Sequence, residues 1–305
     1  MAKTKQGSIP IKVLPVILLI GTIALTTVLL GQKTGWFNQA SETNTRSFRQ
    51  ALKFPENNKT NYIKYSNPPA KIAPGKTSGY TIEMWIKLPT NFPSPNNKEF
   101  PIIRLIGTNS QGKQYNLINF YVGTGMLDNG TIVPTPWTTT ATTIDNVGIF
   151  TGDNVDLTPG AWNHLALELK QQENLCYSAL YVNGKSTGII KTDYGNTQPC
   201  QFAPKSALTS LLISSKPETN DQNSIQVKPY QGLIDELRIS NIARYNPEFN
   251  EANLSFNPPN SPFTNDTNTL ALWHFNNNLT EATNSLVSPK IYGSIGYADS
   301  NIPQY

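Results

Sequence analysis

The amino-acid sequence predicts an all-β protein, an antiparallel two-sheet jelly-roll sandwich, preceded by one N-terminal transmembrane helix. Three observations carry this expectation. Residues 13–31 read VLPVILLIGTIALTTVLLG without a single charge. Beyond them, short segments of alternating apolar and polar residues are separated by Gly-, Pro- and Asn-rich turns with no helical period between them, the pattern of antiparallel sandwiches and not of parallel sheets. Only 14% of the 305 residues are charged, while 20 Gly and 23 Pro accompany 38% hydrophobic and 10% aromatic residues. That composition excludes coiled coil, helical arrays and wholesale disorder.

The 19-residue apolar run rises about 28 Å as a helix, close to the roughly 30 Å hydrocarbon core of a bilayer. Pro15 stands at its start, where a proline costs a helix least. Lys3, Lys5 and Lys12 precede the run, and Trp36 and Phe37 follow it at an interfacial position; lysines inside and aromatic residues outside predict a single-pass, N-in/C-out anchor. The alternative is a cleaved signal peptide and a secreted protein, but TVLLGQKTG contains no small-x-small tripeptide for cleavage. Residues 1–12 then form a basic cytoplasmic N-terminus, 13–31 a signal anchor, 32–47 a polar juxtamembrane tether and 48–305 the extracytoplasmic domain. Without the three leading lysines, residues 13–305 carry 21 basic and 20 acidic side chains. A body so close to neutral argues against nucleic acid as partner.

Within the domain, Tyr80 to Leu88 (YTIEMWIKL) places Ile82, Met84, Ile86 and Leu88 on one face and Thr81, Glu83, Trp85 and Lys87 on the other, as a half-buried strand requires. Further strands are expected at Ile102–Ile106, Leu117–Val122, His164–Leu169, Ser178–Val182, Leu211–Ser214, Gly232–Ser240 and Leu270–Phe275. Asn183-Gly184, between YSALYV and KSTGII, is a type I′ hairpin signal, because both central residues of that turn need positive φ. The Pro-rich 91–97 and the Thr-rich 131–143 (TIVPTPWTTTATT) read as loops.

Cys176 and Cys200 are the two cysteines, with no C-x-x-C or His cluster to make a zinc or thioredoxin-like site. Outside the cytoplasm the pair can oxidise, closing a loop that contributes on the order of 3 kcal/mol; two separate buried thiols are the alternative. Asn58, Asn129, Asn253, Asn265 and Asn278 begin N-x-[ST] sequons, acceptors only where glycosylation machinery exists.

Several segments in order, FRQALKFPENNKTNYIKYS, GYTIEMWIKLP, GAWNHLALEL with ALYVNGKSTG, and YQGLIDELRISNIARY, together resemble the LamG-like, concanavalin A-like lectin/glucanase family, notably its bacterial and archaeal laminin-G-type modules. The resemblance covers most of residues 48–300, and G-x-I-D-E-x-R-I-x-x-x-A-R is its most specific element. TNTLALWHFNNNLTEATNS resembles a segment that often opens such modules; standing at the C-terminus, it reads as a closing strand, with the start of a truncated second module as the alternative. The resemblance implies a concanavalin A-like jelly roll and, in many relatives, a structural calcium ion.

Asp235 stands out, because strict alternation in Leu233-Ile-Asp-Glu-Leu-Arg-Ile239 puts it on the face of Leu233, Leu237 and Ile239. A carboxylate facing a core needs partners: backbone N–H groups, an arginine or a calcium ion. Nothing resembles a D-x-D-x-D-G loop, and calcium takes six to eight oxygens, so a carboxylate pinning a loop or strand end competes with the metal reading. Glu236 and Arg238, on the opposite face, read as a solvated pair. His164, in the W-x-H pattern begun by Trp162, and His274, in LWHF, read as packed strand histidines, since no Ser or Cys nucleophile motif accompanies them.

A glycosidase needs paired carboxylates, and the E-x-D-x-x-E and E-x-D-x-E patterns of the glucanase branch are missing, with Glu83 and Glu168 single in their strands. The expectation is therefore a non-catalytic protein. A sugar platform needs aromatic faces with polar groups around them, for which Tyr115, Phe120, Tyr121 and Trp137 lie nearest the expected rim loops, and Trp137 in polar PTPWTTT is the first candidate. Two functions follow: a carbohydrate-binding or adhesion module for glycan, or a surface-structural or protein-interaction domain without sugar specificity. An aromatic and Asn/Asp groove would mark the first, a contiguous apolar patch the second.

Overall fold

The computed structural model describes residues 50–56, 60–75, 79–92, 98–108, 111–112, 114–126, 132–141, 146–149, 157–193, 202, 207–216, 218–220, 225–250 and 255–302. The expected anchor at 13–31, the tether at 32–47, Cys200 and the sequons at Asn58, Asn129 and Asn253 lie outside the described residues. Among the described residues no helix is long and apolar enough to cross a membrane.

The strands in chain order are β1 (Gln50–Phe54), β2 (Tyr62–Ser66), β3 (Tyr80–Lys87), β4 (Lys98–Thr108), β5 (Gln114–Met126), β6 (Ile132–Ala141), β7 (Asn146–Ile149), β8 (Trp162–Gln172), β9 (Leu175–Val182), β10 (Lys185–Asp193), β11 (Ala207–Ser214), β12 (Glu218–Asn220), β13 (Ile225–Val227), β14 (Gly232–Ser240), β15 (Thr269–Trp273), β16 (Lys290–Tyr292) and β17 (Gly296–Asp299). They form two sheets. The first runs β10-β9-β8-β3-β14-β1-β17, with β15 also on β14; the second runs β16-β2-β11-β4-β5-β6-β7, with β13 paired to β4 and β12 to β13. Every pairing is antiparallel except β13 with β4. The all-β antiparallel sandwich expected from the sequence is thus present.

Side chains of alternate residues meet between the sheets: Ile82, Met84, Ile86 and Leu88 from the first, Ile103, Leu105, Ile118, Phe120 and Val122 from the second, all essentially inaccessible. The β9–β10 hairpin turns at Asn183-Gly184 with φ of 50° and 76°, as a type I′ turn demands. Gly184 is required twice, since a Cβ there would also lie 1.9 Å from the Phe256 carbonyl oxygen, whose residue donates its N–H to Gly184 O at 2.8 Å.

Three expectations are corrected. First, residues 131–143 are not a loop, because Ile132–Ala141 is β6, paired along β5. Its prolines are tolerated for a geometric reason. Pro134 O accepts from Leu157 N at 2.9 Å on the side away from β5, and β7 pairs only Thr138–Ala141, so the N–H groups that Pro134 and Pro136 lack would have faced no strand.

Second, β3 is buried on both faces. The chain after β14 folds back as a strap, residues 241–250 and 255–263, across the outer side of the first sheet. There Ala243, Phe249 and Phe256 pack on Ala166, Ala179 and Tyr181, while Phe263 packs with Trp85, Trp162 and Leu272.

Third, strict alternation fails in β14. Its first residues pair β1 up to Ile234↔Leu52, its last pair β15 from Leu237↔Trp273, and Glu236 takes φ of 51° at the bulge between them. Ile234, Leu237 and Ile239 therefore face the main core, whereas Asp235 stands opposite Trp85 on the outer side with Leu233. Glu236 and Arg238 are not a solvated pair, because the strap buries both.

Under the strap, Arg238 donates from Nε and Nη2 to Glu83 Oε1 at 2.8 and 2.7 Å, and the Tyr245 hydroxyl donates to Glu83 Oε2. His164 Nε2 stands 3.6 Å from Glu83 Oε2, its ring enclosed by Trp85, Tyr245, Phe256 and Phe263. Burial pushes the Glu83 carboxyl up, but His164, the Arg238 guanidinium and the Tyr245 hydroxyl outweigh it and hold the group below its ordinary value. Glu168 accepts from Tyr245 N at 2.7 Å and Asn246 N at 3.0 Å, tying the same strap to β8. Arg238→Met leaves the Glu83 charge without the guanidinium that meets it at two nitrogens, and loss of one member of a buried pair costs about 3–5 kcal/mol. Urea unfolding should show that loss; a change below about 1 kcal/mol, the size of an exposed pair, would mean that the pair does not hold the strap.

Candidate functional site

The strap closes the outer face of the first sheet, whereas among the described residues the outer face of the second carries a cleft. Register fixes what that face displays. At one level Lys290 of β16 stands opposite Lys64 of β2, Lys64 opposite Leu212 of β11, Leu212 opposite Arg104 of β4, and Arg104 opposite Asn119 of β5. Two residues from Lys64, Tyr62 pairs with Tyr292, their rings stacked at 4.3 Å. Two residues from Asn119, Tyr121 pairs with Trp137 of β6. An aromatic pair thus flanks each end of a polar strip.

A cleft of about 320 Å³ opens on this face, lined by Tyr62, Lys64, Arg104, Tyr115, Asn116 and Lys216 among others. Arg104, nearly buried, is aimed by Nε donating to Asn116 Oδ1 at 3.0 Å and Nη1 donating to Ser215 Oγ at 2.7 Å. Near it, burial raises the Glu99 carboxyl above its usual range, against the pull of Arg104 and of the Asn119 amide. Burial likewise raises the phenol of Tyr62, with Tyr292 adding to the effect. A second recess, lined by Phe54, Pro55, Leu88, Pro89 and Leu233, sits at the strand ends of the first sheet and is more apolar.

Tyr121 and Trp137 share this sheet face, whereas Tyr115, also on β5, borders the cleft while packing against the main core; none of the three stands on a rim loop, and Phe120 points into the core. Trp137 lies flat enough over the sheet that a Cβ on Gly123 would come within 2.8 Å of its Cδ1 and 3.2 Å of Tyr121 Cε2. Tyr62, Tyr292, Lys64 and Arg104 were not legible as site residues. The only sequence signal was cross-strand pairing, which needs the register.

Asp235 lies elsewhere, beneath the bulge. Its Oδ1 accepts from Glu236 N at 2.8 Å and its Oδ2 from the Ser300 hydroxyl. The adjoining Glu236 carboxylate accepts from Phe263 N at 2.7 Å and faces His274 Nδ1 at 2.8 Å. With these oxygens engaged, and no group of three or more His, Cys, Asp or Glu among the described residues placed to hold a metal, the surroundings of Asp235 do not fit a calcium ion, which takes six to eight oxygens. They fit a carboxyl that joins the bulge to the C-terminal segment. Glu83 and Glu168 do come to one face of adjacent strands, but both are sealed under the strap and saturated with donors. Cys176 is buried on β9 opposite Thr192 of β10, eight residues before Cys200.

Burial, opposed by the Ser300 hydrogen bond and reinforced by the Glu236 charge, pushes the Asp235 carboxyl up to about 8. Below roughly pH 4 both folded and unfolded chains carry this proton; above it the unfolded chain loses the proton and the folded chain keeps it, so stability falls as pH rises from about 4 to about 8. Asp235→Asn keeps the bond from Glu236 N, reverses the other so that its amide donates to Ser300 Oγ, and removes the titration. Its stability relative to the parent should rise with pH, by at most about 1.4 kcal/mol per unit, in denaturant unfolding at pH 5 and pH 7.5. An offset equal at the two pH values would contradict this.

Several solved structures are similar in fold. The native heptameric SAP-like pentraxin from Limulus polyphemus is 14% identical at a TM-score of 0.46, over 83% of this chain and 96% of its own. Domain 4 of AbnA, a GH43 extracellular arabinanase from Geobacillus stearothermophilus, solved in complex with arabinotriose, is 19% identical at a TM-score of 0.29, over 54% of this chain and 61% of its own. The enzymatically active domain of tailspike protein 2 from bacteriophage CBA120 is 13% identical at a TM-score of 0.38, over 72% of this chain and 29% of its own. No curated protein matches the chain. Residues 57–248, more than half of the sequence, match the family Laminin_G_3, and with the two antiparallel sheets described above the chain belongs to the concanavalin A-like lectin/glucanases superfamily.

Proposed function

We propose that the chain is a membrane-anchored carbohydrate-binding and adhesion module, holding glycan on the outer face of its second sheet. The observation that carries this reading is the combination on one open face of two aromatic pairs, Tyr62 with Tyr292 and Tyr121 with Trp137, and the polar groups of Lys64, Arg104 and Asn116 between them. Aromatic rings accept the C–H faces of sugars, and amide, guanidinium and ammonium groups bond the hydroxyls. A protein-interaction surface would present a contiguous apolar patch, and the exposed large hydrophobic residues among those described are Val287 and Ile291 alone. A non-catalytic role is supported by the carboxylates, since Glu83, Glu168, Glu236 and Glu281 each accept hydrogen bonds within the fold, three of them from backbone N–H groups.

The full chain should bind a related set of glycans on a broad array, and Trp137→Ala and Tyr62→Ala should each weaken that binding roughly tenfold, about 1.4 kcal/mol. Binding should persist in chelator, since no group of three or more His, Cys, Asp or Glu among the described residues is placed to hold a metal. Folded protein that binds no glycan would overturn the proposal in favour of a protein-interaction scaffold.

The anchor is the apolar run at 13–31, and the exported domain carries a Cys176–Cys200 disulfide that the short chain beyond β10 can close. Carbonate-washed membranes should retain the full-length chain, and its unreduced peptides should show the two cysteines joined by mass spectrometry. A soluble form starting after residue 31 or so, or two free thiols in exported material, would refute the respective half.

A further inference from the structure

The cation row on the second sheet has no sequence-local explanation. Lys290 and Lys64 are direct cross-strand partners on one face, an arrangement that places like charges side by side and destabilises a sheet. Lys290 Nζ is drawn over the Tyr292 ring, 4.9 Å from its centroid, which relieves part of the repulsion but leaves both charges at the surface. Arg104 lies two strands beyond Lys64 in the same row, and Lys216 joins both in lining the cleft. No carboxylate is among the residues that line it. The nearest acid on that face, Glu99, answers to Arg104 and Asn119 at the far edge.

We infer that this face takes an acid-bearing glycan chain, laid across the strands along the row Lys290, Lys64, Arg104. The inference deepens the glycan reading above and rests on it. Neighbouring strands lie about 4.8 Å apart, so Lys64 and Arg104 stand roughly 10 Å apart and Lys290 and Arg104 roughly 14 Å, a spacing that meets successive acidic groups along one chain and not a single small anion. Tyr62 lines the cleft beside Lys64, with Tyr292 stacked on its ring, and supplies a flat apolar surface against which a sugar ring rests while its acid group meets the cations. Arg104 is held in place by Asn116 and Ser215 before any ligand arrives, so its orientation costs nothing on binding. Carboxylate and sulfate groups share this chemistry.

The test is binding of the full chain to three oligosaccharides of equal length, one carrying uronic carboxylates, one carrying sulfates and one neutral, each across a salt series, with the parent and with Lys64→Gln/Lys290→Gln. The expected result is preferential binding of one or both acidic chains, weakening as salt rises, and a loss of roughly tenfold in the double variant, the ratio that two ion pairs near the top of their exposed range produce. The variant's melting temperature should stay level or rise, since a like-charge pair is removed, so lost binding cannot be lost folding. The inference fails if the neutral chain binds as tightly as the acidic ones or if the double variant binds them like the parent, results that leave the glycan reading standing. Binding to none of the three at any salt, with the array also blank, overturns both.

Discussion

The Glu83 carboxylate is inaccessible to solvent, and a charge in that position must be met by protein groups or be neutralised. Arg238 reaches it from β14, the neighbouring strand, but Tyr245 reaches it from the strap, so the charge is satisfied only when the chain has folded back over the sheet. The same condition holds one strand further along, where Glu168 accepts the backbone N–H groups of Tyr245 and Asn246. Arg244 extends the tie outward, with both Nη atoms 2.9 Å from the Asp266 carboxylate, which it holds well below the usual range. Together with the packing of Ala243, Phe249, Phe256 and Phe263, these bonds fix the strap as a third layer.

Fixing the strap depends in turn on β14. Its bulge at Asp235-Glu236 lets one strand serve two partners on the same side, β1 first and β15 afterwards. The bulge turns Glu236 to meet Phe263 N and His274, and it brings Arg238 onto the outer side opposite Glu83. One extra residue in one strand therefore decides which acids and bases meet.

The consequence for function is an asymmetry between two faces that are alike in secondary structure. Strap and C-terminal segment cover the first sheet, and the second carries a cleft beside aromatic and cationic side chains aligned by register. Placing those side chains on paired strands and not on loops holds them at fixed separations. That rigidity suits a ligand with a regular repeat.

The sequence by itself located many of the strands. Period-two alternation located β3 and the hairpin signal located Asn183-Gly184, because both are local consequences of pleat and turn geometry. It also marked Asp235 as a residue needing partners and Tyr115, Tyr121 and Trp137 as candidates. It misread β6, where prolines were compatible with a strand only because their sides faced no neighbour. It misread Glu236 and Arg238, because the outer side they occupy is covered by the chain that folds back after β14. Only the tertiary structure decided that Lys64 faces Lys290, that Tyr62 stacks on Tyr292, and that the strap covers one sheet and spares the other. The two side-chain pairings join residues more than 200 positions apart, and no local pattern encodes which distant strand will lie beside which.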